Sequence, residues 1–218
     1  LEKSRVSDTE KNRSVLPANW GRTALLATAA LLLAACSDSA TVETAQCSAS
    51  IERAAALKPL AGGDVAAFTV ADEPVPLPVF EFAGKDGGKA STADFAGKTV
   101  LLNLWATWCA PCREEMPALD KLQAELGSEK FQVLPVSIDR GGPQKPLAFY
   151  EEIGVSHLPF YQDETMGIFN ELKKKSLAFG LPVTLLVDRD GCVLGNLNGP
   201  ADWAGSDAKQ LMGAVVDQ

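Results

Sequence analysis

The sequence predicts an α/β fold: a central mixed sheet flanked by helices, with one more helix as an N-terminal extension. Three observations carry this. Residues 100–106 form the apolar run Val-Leu-Leu-Asn-Leu-Trp-Ala, which has the length of a buried strand, and Arg113-Glu114-Glu115-Met116 opens a helix just beyond it. After that helix a second apolar run, residues 131–139, completes a strand–helix–strand unit whose two strands must be parallel. Residues 183–188 and 192–197 then face each other across Arg189-Asp190-Gly191 as an antiparallel hairpin, so the sheet is mixed.

Taken in order, the chain opens with Lys3, Arg5, Lys11, Arg13 and Arg22 ahead of a 12-residue apolar stretch, residues 24–35. A membrane span needs about 20 apolar residues, so this length fits a signal-peptide core and implies export. Leu33-Ala34-Ala35-Cys36 resembles a bacterial lipobox, which makes Cys36 the candidate for lipidation, and Ser37-Asp38-Ser39-Ala40-Thr41 reads as a polar tether. Ordinary cleavage after small residues, or an uncleaved anchor with Cys36 incidental, is the alternative. Residues 47–58 place Ile51, Ala54, Ala55 and Leu57 at helical spacing, and Pro59 with Gly62-Gly63 ends that helix. Pro74, Pro76 and Pro78 mark an extended connection. Residues 79–82 alternate as a strand, and residues 84–88 supply a hairpin turn. The long helix is expected over residues 110–126, with Pro117 kinking it near Arg113. Helices are expected over residues 145–153 and 165–175 with a short strand at Phe160-Tyr161 between them, and a last helix begins near Asp202.

The chain has 218 residues, a formal charge of −8 and five cysteines. After Cys36 there are 15 basic against 25 acidic residues, an excess that argues against nucleic acid and against anionic lipid held by a basic patch. Disulfide-bearing proteins remain as partners. Trp108-Cys109-Ala110-Pro111-Cys112 spans the junction of the apolar strand and the long helix. Two cysteines so spaced can close a small ring, and the free N–H groups of a helix start favour the thiolate of the first, the species that attacks a disulfide. Cys109 is therefore the nucleophile and Cys112, one turn inside, the resolving thiol. Ala110-Pro111 brings no charge or histidine to stabilise a thiolate strongly, which favours a reductant over an oxidant. A zinc site would need two more ligands, and the sequence has one histidine, His157, and no second Cys-x-x-Cys. No cofactor and no resident metal are expected. Glu115, three residues after Cys112, shares its helix face and is either a handler of that thiol's proton or a first-turn acid.

Residues 103–117, Asn-Leu-Trp-Ala-Thr-Trp-Cys-Ala-Pro-Cys-Arg-Glu-Glu-Met-Pro, closely resemble the active-site block of the TlpA family of membrane-tethered periplasmic thioredoxins. Gly180-Leu181-Pro182-Val183-Thr184 is similar to the loop that carries a cis-proline facing the cysteines in thioredoxin folds. The resemblance implies a thioredoxin-like fold over residues 77–218, a tether and helix over 37–76, and a leader or anchor over 1–36. It implies that Glu115 handles the proton of Cys112, that Trp108 forms part of the surface on which substrate packs, and that the backbone of Leu181 beside Pro182 pairs with a client segment. It also implies a structural disulfide between Cys47 and Cys192, the latter in Asp-Arg-Asp-Gly-Cys, with two buried free thiols as the alternative.

The resemblance further implies a periplasm-facing, membrane-anchored, monomeric thiol:disulfide oxidoreductase that reduces protein disulfides. A membrane electron donor would re-reduce it, and its clients would be copper-site or cytochrome c assembly factors. Service to cytochrome c maturation alone is one alternative. A copper-binding module using His157 is another, although related copper chaperones carry Cys-x-x-x-Cys where this chain has Cys-x-x-Cys.

Overall fold

The computed structural model describes residues 46–216, so the expected leader, Cys36 and the polar tether lie outside the described residues. Within them the order is α1 (Ser48–Leu57), β1 (Thr69–Pro76), β2 (Glu81–Gly84), β3 (Lys89–Ser91), β4 (Thr99–Trp105), α2 (Ala110–Leu126), β5 (Phe131–Ser137), α3 (Gln144–Ile153), β6 (Tyr161–Gln162), α4 (Gly167–Lys174), β7 (Val183–Val187), β8 (Cys192–Asn198) and α5 (Ser206–Val216). The strands form one sheet in the order β1-β8-β7-β4-β5-β6-β2-β3, with β4 parallel to β5 and antiparallel to β7. This is the mixed sheet that the strand–helix–strand unit and the hairpin implied, in the thioredoxin-like arrangement that the resemblance implied.

All seven residues of β4 are buried, which is why the strand reads as a continuous apolar run. Its side chains alternate between two cores. Leu101 and Trp105 join the cluster that takes in Met116, Leu119 and Leu122 of α2, while Val100, Leu102 and Leu104 join Leu185 and Ile168 on the other face. Asn103 shares the α2 side with Leu101 and Trp105 by the two-residue period of a strand. Helix α2 runs unbroken through Pro117, whose ring faces solvent, where water can meet the Arg113 carbonyl deprived of its N–H partner. Gly154, at φ 71°, ends α3 in the left-handed conformation that glycine tolerates best.

Several boundaries differ from the sequence reading. The proline-marked connection is the edge strand β1, paired with β8 at Thr69↔Asn196 and at Val75↔Val193, with a register shift between. Prolines are tolerated at such an edge because one side of it needs no ladder N–H. A domain limit at 76/77 therefore falls between two strands of one sheet. Of the four apolar positions expected to face inward from the first helix, Ala54 and Leu57 are buried, but Ile51 and Ala55 are exposed. Strand β2 starts at Glu81 rather than 79, and α5 at Ser206 rather than 202.

Candidate active site

Strand β4 ends at Trp105, and a tight turn carries the chain into α2. Asp139, buried just past the end of β5, holds that turn. Its carboxylate accepts from the Thr107 N–H at 2.8 Å, the Thr107 hydroxyl at 2.6 Å and the Ser137 hydroxyl at 2.9 Å. Cys109 is the N-cap of α2, and its Sγ accepts from the Cys112 N–H at 3.3 Å. A thiolate at this sulfur would meet the partial positive charge of a 17-residue helix. In this structure Cys109 and Cys112 are joined as a disulfide, the oxidised form. Cys109 is 6% exposed and Cys112 0%. Both cysteines are thus buried, Cys109 the less completely.

Trp108, directly before it, is 61% exposed, whereas Trp105 is enclosed and stacks on Tyr150. Trp108 borders an open groove of about 430 Å³ lined also by Thr107, Ala110, Arg113, Glu114 and Phe149. The Arg113 guanidinium lies 4.7 Å from the centre of the Phe149 ring, a cation–π contact that fixes one wall. The loop before β7 lies at the same end of the sheet. The Leu181–Pro182 peptide is cis, and the Pro182 carbonyl accepts from the Gly199 N–H at 2.9 Å. Val183 pairs with Leu104, so Pro182 lies at the same end of the sheet as Cys109.

Glu115 is 3% exposed. Its Oε1 accepts from Asn103 Nδ2 at 2.8 Å, and its Oε2 from the Ala201 N–H and Trp203 Nε1, each at 3.2 Å. Burial raises its pKa from 4.5 to about 7, and these donors, which favour the carboxylate, hold it from rising further. A carboxyl that titrates near neutrality one helical turn from a thiol can carry that thiol's proton. Asn103, Thr184, Ala201 and Trp203 were not assigned site roles from sequence. Asn103 does leave a trace there as a polar interruption in an apolar strand, but Trp203 lies in the loop after β8 and nothing local marks it. His157 sits in an exposed loop with Nδ1 3.2 Å from Asp120, whose other oxygen accepts from the N–H groups of Ser156, His157 and Leu158. Among the described residues no group of three or more His, Cys, Asp and Glu side chains is placed to hold a metal ion. Cys47 and Cys192 are bonded to each other, far along the sheet from Cys109.

A dithiol capping a helix, a cis-proline at the same end of the sheet and the thioredoxin-like sheet itself define a thiol:disulfide oxidoreductase domain. The chain belongs to the Redoxin family, which it matches over residues 70–212. It is 52% identical over 60 residues to the thioredoxin-like protein YneN of Bacillus subtilis, a match spanning 28% of this chain and only 35% of that protein. With the thiol-disulfide oxidoreductase ResA of Bacillus thuringiensis it shares 30% identity over 122 residues, 56% of this chain and 67% of the relative. A solved Chlorobium tepidum structure assigned as the thiol:disulfide interchange protein DsbE superposes with a TM-score of 0.56 at 27% identity, covering 65% of this chain and 95% of the other.

Proposed function

We propose that this chain is an exported, membrane-tethered reductant of protein disulfides of the TlpA type. In this reading it faces the periplasm and serves the assembly of copper-containing oxidase or cytochrome c. The observation that carries the chemistry is the pairing of Cys109, 6% exposed at the helix N-cap, with a fully enclosed Cys112 and a buried Glu115 one turn further along the helix.

The Cys109 thiolate attacks one sulfur of a client disulfide, a mixed disulfide forms, and the other client sulfur leaves as thiolate. Cys112 gives its proton to the Glu115 carboxylate and attacks Cys109 Sγ. The client's second sulfur is released, the Cys109–Cys112 disulfide closes, and two electrons have passed to the client. Trp108 and the groove beside it would support the client segment on one side, with the Leu181 backbone and Pro182 on the other. A membrane electron donor would return the dithiol to its reduced state.

The sequence supports the tether. The short apolar stretch ends at a lipobox-like Cys36. Cys47 is bonded at the turn between β7 and β8, beside the start of β4, since Val187 pairs with Val100. Cys109 follows the far end of that strand, about 20 Å away by strand rise. The described chain thus begins at the end of the sheet remote from the dithiol.

Cys112→Ser tests the reading. Cys109 still attacks, no resolving thiol follows, and the client should remain attached through a disulfide, visible on non-reducing electrophoresis and nameable by mass spectrometry. Copper-site or cytochrome assembly proteins are the expected adducts. The absence of any protein adduct, with Cys109 still reactive to a small thiol reagent, would remove the substrate from this proposal.

A further inference from the structure

The carboxyl of Glu115 meets two different kinds of partner. Oε2 faces the Ala201 N–H and the Trp203 indole N–H, groups that can only donate. Oε1 faces the side-chain amide of Asn103, which can present either its NH2 or its carbonyl. Behind that amide, 2.9 Å from Nδ2, lies the Thr184 hydroxyl, which can donate or accept. Asn103 Oδ1 is buried and has no hydrogen-bond partner among the described residues. None of these partners carries a charge. The other titratable group of the proposed reaction beside Glu115 is Cys112, one turn earlier on α2.

A proton on Glu115 therefore has one place to sit. On Oε2 it would point at two N–H groups whose hydrogens cannot turn away. On Oε1 it would oppose Nδ2 only while Asn103 keeps its present orientation. We infer that Asn103 is a two-state adapter: its NH2 donates to Oε1 of the Glu115 carboxylate, and when Oε1 takes up a proton the amide turns over and Oδ1 accepts it. Thr184 reverses in step, accepting from Nδ2 in the first state and donating to Oδ1 in the second. Each orientation leaves one polar atom of Asn103 unpaired, Oδ1 or Nδ2, so neither satisfies the amide completely.

An asparagine on β4 thus serves both forms of the carboxyl. Aspartate would set a second acid against it, and leucine would leave Oε1 without a partner. The inference rests on the proposed proton-carrying role of Glu115 for its purpose, though not for its geometry.

Nuclear magnetic resonance on the intact protein, with the Asn103 amide and the Glu115 carboxyl labelled, tests it without a variant. Contacts of the Asn103 NH2 with Thr184 should be present at about pH 9 and lost at about pH 5, changing with the Glu115 carboxyl midpoint near 7. In Glu115→Gln the change with pH should vanish. An amide that keeps the same contacts while Glu115 titrates overturns the adapter, as does a change that persists in Glu115→Gln. A separate measurement isolates the underlying reading, namely the pH profile of Cys112 alkylation in the reduced protein. If Asn103 turns with Glu115 but Glu115→Gln leaves that profile unmoved, the adapter stands and the proton-carrier role falls.

Discussion

Glu115 is neutral at a pH where an unfolded glutamate is charged, and stability must follow. Its ordinary value is 4.5 and its value in the fold about 7. Between these limits the folded chain holds a proton that the unfolded chain has released. The Glu115 contribution is thus most favourable below about 4.5 and is lost as pH rises to about 7. The full difference is on the order of 3 kcal/mol, an upper figure because buried carboxyls relax. Glu115→Gln should remove this dependence. In urea titrations on both sides of the window, wild type should lose more stability than the variant on going to high pH, and equal losses would mean that Glu115 is not the group responsible. The residues of this site were unequally legible. Cys109, Cys112 and Glu115 announce themselves by spacing on one helix. Their partners Asn103, Thr184, Ala201 and Trp203 come from three other segments, and only the register of β7 on β4 and the path of the loop after β8 bring them to Glu115.

At the scale of elements, helix α1 is held to the β7–β8 hairpin by more than its disulfide. Asp188, buried before the turn, accepts from the Ser50 hydroxyl and from Arg53, each at 2.6 Å. Its other oxygen accepts from the N–H groups of Asp190 and Cys192, at 3.0 Å each. Arg53 also pairs with Asp190. One carboxylate therefore orders the turn, docks the helix and positions a bonded cysteine. Gly191, at φ 81°, completes the turn. The cysteines are 145 residues apart, so the chain-entropy argument gives about 5 kcal/mol for the link as an upper figure. Cys47→Ser should accordingly lower the thermal midpoint by many degrees while sparing disulfide reduction, since the link lies at the end of the sheet away from Cys109. An unchanged midpoint would mean that the polar clamp alone holds the helix. The helices and central strands were legible because each repeats its apolar residues with its own period. Strand β1 was not, because Pro74 and Pro76 mask it and its pairing partner lies more than a hundred residues further on. Ile51 misled for the related reason that α1 buries only a narrow stripe.

The whole molecule separates its tasks along β4. One end carries the dithiol, the cis-proline loop and the groove beside Trp108, while the other carries the staple and the point where the described chain begins. At the active end Ala110 and Pro111, between the cysteines, bring no charge, and the buried acid is held by neutral donors. A dithiol without a charged group or histidine between its cysteines fits a reductant better than a strong oxidant. The reduction potential of the Cys109–Cys112 couple, measured by equilibration against a thiol couple of known potential, tests this most directly. The value expected lies nearer the roughly −270 mV of a reducing thioredoxin than the roughly −120 mV of a strong oxidant. A value above about −180 mV would contradict the proposal that this protein is a reductant.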